Sequence, residues 1–172
     1  EFDYPDRAPD SVLTGDLSVS KDTSPIILAF SGGLDTSFCV PWLKENYGRE
    51  VVTACVDTGG IDKEAAASLE QRALALGAIE HVLIDAKQEF FETVIRHLIA
   101  GNVLRGQAYP LCVGAERGLQ AEKLAEIAHQ RNASTVAHGC TAAGNDQVRF
   151  EVALNTLNPG LEVLAPVRDN SW

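Results

Sequence analysis

Along this chain, short runs of apolar residues alternate with longer stretches in which apolar residues return every three or four positions. The runs are IILAF at 26–30, VVTACV at 51–56, HVLI at 81–84, STVA at 134–137 and EVLA at 162–165. They carry almost no polar alternation, which is the pattern of strands covered on both faces in a parallel sheet. Between them, Ala66, Leu69, Ala73 and Leu76 fall on one helical stripe that ends at Gly77. Ala121, Leu124, Ala125 and Ala128 form a second stripe before Asn132, and Phe150, Ala153, Leu154 and Leu157 form a third. Strands alternating with helices predict an α/β fold. We expect a doubly wound, mostly parallel five-stranded sheet with helices on both faces and ligands gathered at the carboxyl ends of the strands.

Residues 1–24 break this pattern: they are rich in Asp, Ser and Pro and have no periodic apolar face, so they read as a loosely packed extension ahead of a domain spanning 25–172. The segment has neither the basic start nor the apolar stretch of a secretory signal. No run approaches the roughly 20 apolar residues needed to cross a bilayer. Twenty-four acidic against fourteen basic side chains give a net charge of −10, which argues against nucleic acid as a partner. Cys39, Cys55, Cys112 and Cys140 are widely spaced and form no C-x-x-C pair; they read as reduced thiols, and we expect a cytoplasmic protein.

The chemistry concentrates after the first strand, in AFSGGLDTS at 29–37. Gly32 and Gly33 let backbone amides approach an anion, Ser31, Thr36 and Ser37 add hydroxyls, and the start of the next helix, predicted in SFCVPWLKENYG and disturbed near Pro41, adds its dipole. The loop has no Lys ahead of its hydroxyl residues, so it is not a Walker A loop, and its adjacent glycines are not G-x-G-x-x-G. It suits a diphosphate gripped by backbone donors with Mg²⁺ neutralising the remainder, and Asp35 is the one carboxylate inside it. The same residues also suit an ordinary strand-to-helix turn in which Asp35 caps the helix.

SGGLDTS resembles the pyrophosphate loop of the enzymes that split ATP between its α and β phosphates, the fold class of adenine nucleotide alpha-hydrolases. These include argininosuccinate synthase, GMP synthetase, NAD synthetase, asparagine synthetase and several tRNA-modifying enzymes. HGCTAAGNDQVRFE at 138–151 narrows the choice, because it closely resembles HG-x-TGKGNDQVRFE of the argininosuccinate synthases. The resemblance implies a ligase of arginine biosynthesis in which citrulline attacks the α-phosphate of ATP and aspartate then displaces AMP. It assigns Ala29, Phe30, Ser31, Gly32, Gly33, Leu34, Asp35, Thr36, Ser37, Val56 and Gly139 to ATP. It assigns Tyr109, Asn145 and Arg149 to citrulline, Thr141, Asn145 and Asp146 to aspartate, and no dedicated catalytic residue. The family's longer chains carry a C-terminal domain, expected to be absent here, that brings further citrulline contacts and association into homo-oligomers.

Two departures stand out: Ala142-Ala143-Gly144 replaces GKG, and Val113-Gly114 replaces the frequent Thr-Ser. Each polar residue also has a structural use. Asp146 could cap its helix, Arg149 could pair with Glu151 or Glu162, Tyr109 could be a packed aromatic, and His138 reads as a satisfied imidazole at a strand end. Two other functions share the motif: a tRNA sulfurtransferase carrying persulfide on Cys140 or Cys112, and a nucleotide-binding module without catalysis.

Overall fold

The computed structural model describes residues 22–141 and 145–168. Its strands are β1 (Ile26–Ala29), β2 (Val51–Asp57), β3 (Glu80–Asp85), β4 (Leu104–Arg105), β5 (Tyr109–Pro110), β6 (Thr135–Ala137) and β7 (Glu162–Leu164). The helices are α1 (Leu34–Tyr47), α2 (Lys63–Ala75), α3 (Lys87–Phe90), which runs through a π-turn (Phe91–Ile95) into α4 (Arg96–Ala100), then α5 (Cys112–Gln130) and α6 (Asn145–Leu157). The five expected strands form one sheet in the order β3-β2-β1-β6-β7, every neighbouring pair parallel.

Side-chain alternation along β1 divides the core. Ile27 points to one face, where Ala121, Leu124 and Ala128 of α5 and Phe150 and Leu154 of α6 cover it. Ile26 and Leu28 point to the other, against Cys39, Val40 and Leu43 of α1 and Ala73 of α2. Each such Ile or Leu, fully buried, contributes about 1.5–3 kcal/mol of apolar transfer. Chain order reverses between β1 and β6, so the loops leaving these two strands part at a switch point and open a crevice at their carboxyl ends.

One expectation is corrected. Helix α1 begins at Leu34, inside the loop motif, and runs unbroken through Pro41. Its buried stripe of Cys39, Val40 and Leu43 on the sheet offsets the loss of one amide donor. Ahead of β1, Arg49, 7% exposed, donates Nε to the Ser24 carbonyl at 2.7 Å and Nη2 to Ser24 Oγ at 2.9 Å, and pairs with Asp22 at 3.1 Å. Residues 1–21 and the Ala142-Ala143-Gly144 departure lie outside the described residues. The helical stretch with its π-turn between β3 and β4, and the β4–β5 hairpin, whose turn holds Gly106 and Gln107 at positive φ, carry no pattern that predicted them.

Candidate functional site

The crevice holds two adjoining cavities. The first, about 600 Å³, lies over the ends of β1 and β2 and is walled by α2, α5 and α6. Of the loop residues, Ala29, Phe30, Ser31, Gly32 and Thr36 line it, together with Val56 and Gly139. The second, about 920 Å³, is lined by Asp35, Tyr109, Thr141, Asn145, Asp146 and Arg149, among others. Every residue the sequence assigned to an amino-acid substrate thus faces one cavity. Gly33, Leu34 and Ser37 line neither; Leu34 is 87% exposed.

Local chemistry shapes the loop. Gly32 has φ +72, a conformation that side chains disfavour, and Gly33 is extended as the N-cap of α1. Thr36 Oγ1 donates to the Gly33 carbonyl at 3.3 Å and lies 3.3 Å from Ser31 Oγ, which accepts from the Gly33 N–H at 3.4 Å. No side chain caps α1, so its first amides and its positive dipole end are left for an anion. Gly139, just after β6, is pressed against this turn: a Cβ there would meet Thr36 Cγ2 at 2.9 Å. Gly139 and Cys140 line both cavities and mark their junction.

Helix α6 organises the second cavity. Asp146, in its first turn, accepts from Arg149 Nη1 at 3.0 Å and from Arg117 Nη2 of α5 at 3.4 Å, so its carboxylate is spent on cations and not on a helix-end amide. Arg149 pairs with this neighbour; Glu151 instead takes Arg168 at 2.7 Å, and Glu162 accepts from Thr135 Oγ1 at 3.0 Å. Tyr109, on the hairpin, is half exposed at the cavity rim and not a packed aromatic.

His138 is buried at the end of β6, as expected, yet only half satisfied. Nδ1 accepts from the Cys140 N–H at 3.2 Å, while Nε2 has no hydrogen-bond partner among the described residues and lies 4.0 Å from Glu151 Oε1. Burial pulls its pKa below the ordinary imidazole value, Glu151 opposing and Arg168 reinforcing the shift. The ring is therefore a poor base at neutral pH. All four cysteines are free thiols. Burial pushes Cys39 up to about 12, Cys55 up to about 11 and Cys140 upward, opposite to the shift a reactive persulfide carrier needs. The first cavity also takes Ile61, Leu69 and Arg72 around α2 and Arg117 and Gln120 from α5, none of which lies in either motif. Among the described residues, no helix is long and apolar enough to cross a membrane, and no cluster of three or more His, Cys, Asp or Glu side chains could hold a metal by itself.

The fold has counterparts among solved structures. A predicted subunit of tRNA methyltransferase from Methanocaldococcus jannaschii superposes with a TM-score of 0.54 at 19% identity, over 87% of this chain and 70% of that one. An NH3-dependent NAD synthetase from Campylobacter jejuni gives 0.51 at 16% identity, over 72% and 50%. At such identities only the fold is shared. Sequence similarity is far stronger to curated proteins named argininosuccinate synthase, 49% identical over 147 residues in Bacillus pumilus and 47% over 148 residues in Streptococcus agalactiae. Each match takes in 86% of this chain and 36% of the relative, so the chain spans about a third of the length of these proteins. The family model described as the arginosuccinate synthase N-terminal HUP domain matches residues 25–172, and with the loop and the NDQVR helix in place around the crevice, the chain belongs to the argininosuccinate synthase family.

Proposed function

We propose that this chain binds ATP in the first cavity and presents its α-phosphate to citrulline held in the second, as the nucleotide-binding part of a ligase that forms argininosuccinate. The observation that carries this reading is the meeting of the two cavities at Gly139 and Cys140. Adenylation needs an acceptor oxygen aligned with the α-phosphate and a stabilised leaving group, and both are supplied by positioned binding groups without a protein nucleophile.

In this reading the backbone of Val56 meets adenine, and the loop amides and hydroxyls take the β and γ phosphates. The ureido oxygen of citrulline attacks the α-phosphorus, the bond to the β-phosphate oxygen breaks, and pyrophosphate leaves. The amine of aspartate then displaces AMP from the citrullyl adenylate. Tyr109, Asn145 and Arg149 hold citrulline, the guanidinium taking its carboxylate in a two-pronged contact. Thr141, Asn145 and Asp146 hold aspartate, the Asp146 carboxylate accepting from its ammonium.

Magnesium fits as an ion carried by the nucleotide. Asp35 offers one exposed hard-oxygen donor beside the loop, and Mg²⁺ ordinarily combines one or two carboxylates with waters and phosphate oxygens. Asp35 would hold it, and when bound the ion neutralises phosphate charge. A cytoplasmic location and the homo-oligomeric assembly of longer family members belong to the same proposal.

Calorimetry tests the reading. ATP and citrulline should each bind, and Arg149→Ala should weaken citrulline about tenfold while sparing ATP. In turnover, citrulline labelled with ¹⁸O at the ureido position should deliver the label to AMP. ATP binding without any response to citrulline would reassign the acceptor.

A further inference from the structure

The loop SGGLDTS contains no cation, yet a polyphosphate carries several negative charges and the chain as a whole carries −10. Two arginines face the nucleotide cavity from neighbouring helices, Arg72 on α2 and Arg117 on α5, and their electrostatic situations are opposite. Arg117 is compensated: it pairs with Asp146 at 3.4 Å, lies 3.6 Å from Glu116, and donates Nη1 to Gln120 at 2.7 Å. The Arg72 side chain has one described hydrogen bond, from Nη1 to the Gly32 carbonyl at 2.5 Å, and no described carboxylate pairs with it. Four of its five N–H donors are left over, on a guanidinium fixed to the loop beside Ser31 and Thr36. Helix α2 is built into this arrangement, since the Leu69 side chain occupies the space a Cβ on Gly32 would need, 2.4 Å away.

We propose that Arg72 is the cation of the pyrophosphate subsite, brought to the loop from α2 to bind the β and γ phosphates and to neutralise the leaving pyrophosphate. The inference rests on the ATP reading of the first cavity. The Gly32 carbonyl holds one arm of the guanidinium and leaves the other for phosphate oxygens, which a planar fork suits better than a point charge. The charge needed near the loop is thereby supplied from a helix surface and not from the loop's own sequence.

The test is nucleotide binding by calorimetry with the whole chain, using ATP and AMP as paired probes. Arg72→Gln keeps a donor for the Gly32 carbonyl and removes the charge. It should weaken ATP about tenfold and leave AMP unchanged, and Arg72→Lys should recover part of the loss. Equal ATP affinity in Arg72→Gln and the unsubstituted chain overturns the inference and reduces Arg72 to a loop anchor, with the ATP reading intact. An equal loss for ATP and AMP also overturns it, because it marks damage to the cavity as a whole. An unsubstituted chain that binds neither nucleotide overturns the ATP reading itself, and this inference with it.

Discussion

Arg117 on α5 and Asp146 on α6 are joined across the helix pair, Nη2 to Oδ2 at 3.4 Å, and each lines a different cavity. The Phe150 ring lies 5.9 Å below the guanidinium, and Arg149 holds the other carboxylate oxygen of Asp146 at 3.0 Å. The walls of the first and second cavities therefore share one charge cluster. Asp146→Asn preserves the shape and removes the anion that balances two arginines. Aspartate affinity should fall at least about tenfold, since a charge-assisted contact to its ammonium is lost, while ATP affinity holds. Calorimetry with each ligand reads both; a parallel loss of ATP binding would mean that Asp146 merely braces the helix pair.

Gly32 combines φ +72 with the Leu69 side chain 2.4 Å from where a Cβ would sit. The Leu69 methyl can rotate away, but the backbone angle cannot be relieved without moving the loop. Gly32→Ala should cost about 1–3 kcal/mol and weaken ATP binding. The double variant with Leu69→Ala should not recover that loss. Recovery in the double variant, measured by thermal unfolding and calorimetry, would show that the clash and not the backbone conformation sets the requirement for glycine.

The five strands were legible because a sheet covered on both faces demands nearly continuous apolar runs, and IILAF and VVTACV have them. Motif resemblance singled out Asp146 and Arg149, which line the second cavity, without revealing that they pair with each other. The start of α1 was not: Leu34 is apolar but exposed, so it gave no stripe to extend the helix into the loop. Arg72 was equally silent, because a cation on the polar face of an amphipathic helix looks the same whether it meets solvent or a ligand. The stretch from Lys87 to Pro110 keeps many apolar residues exposed, Phe91 and Ile99 among them, and a π-turn shifts its helical period.

Arg49 also escaped sequence reading, although it ties three strand starts together. It donates to Ser24 ahead of β1, to Ser134 Oγ at 3.1 Å ahead of β6, and to Thr135 Oγ1 at 2.8 Å in β6, while itself preceding β2. All of this lies at the amino ends of the strands, away from the crevice. Arg49→Met should cost about 2–3 kcal/mol, as buried oxygens lose their charged donor, and should leave ATP affinity of the folded chain unchanged. Urea unfolding alongside calorimetry separates the two; an altered affinity would contradict the separation of stability from site.

Two histidines make stability respond to pH. Burial lowers the pKa of His138, and of His81, whose Nδ1 lies 2.9 Å from Thr53 Oγ1 and whose Nε2 has no partner among the described residues. In the unfolded chain both take a proton near the ordinary value of 6.5, whereas the folded chain resists it. Their contribution is thus complete above about pH 6.5 and declines as pH falls from there toward the depressed folded values. The urea midpoint should drop between about pH 7.5 and 5.5, and the drop should be smaller in His138→Gln. A pH response identical to that of the unsubstituted chain would assign the effect elsewhere.

Gly114 of α5 and Arg149 of α6 are in close contact. The Arg149 guanidinium lies flat against α5 at Gly114, where a Cβ would come within 3.2 Å of Cζ and 3.3 Å of Nη2. The Arg149 side chain is 43% exposed and can shift by the few tenths of an ångström required, so the fold should tolerate a side chain there. Replacing a glycine inside a helix should even add about 0.5–1 kcal/mol of stability. Gly114→Ala isolates the displacement of Arg149 and should weaken citrulline binding. Gly114→Ser makes the same displacement but faces the second cavity with a hydroxyl, and should bind citrulline about three- to tenfold more tightly than the Ala variant, the worth of one hydrogen bond. If the Ala and Ser variants bind citrulline equally, a hydroxyl at this position makes no substrate contact, and a side chain here serves only to set the angle of the arginine.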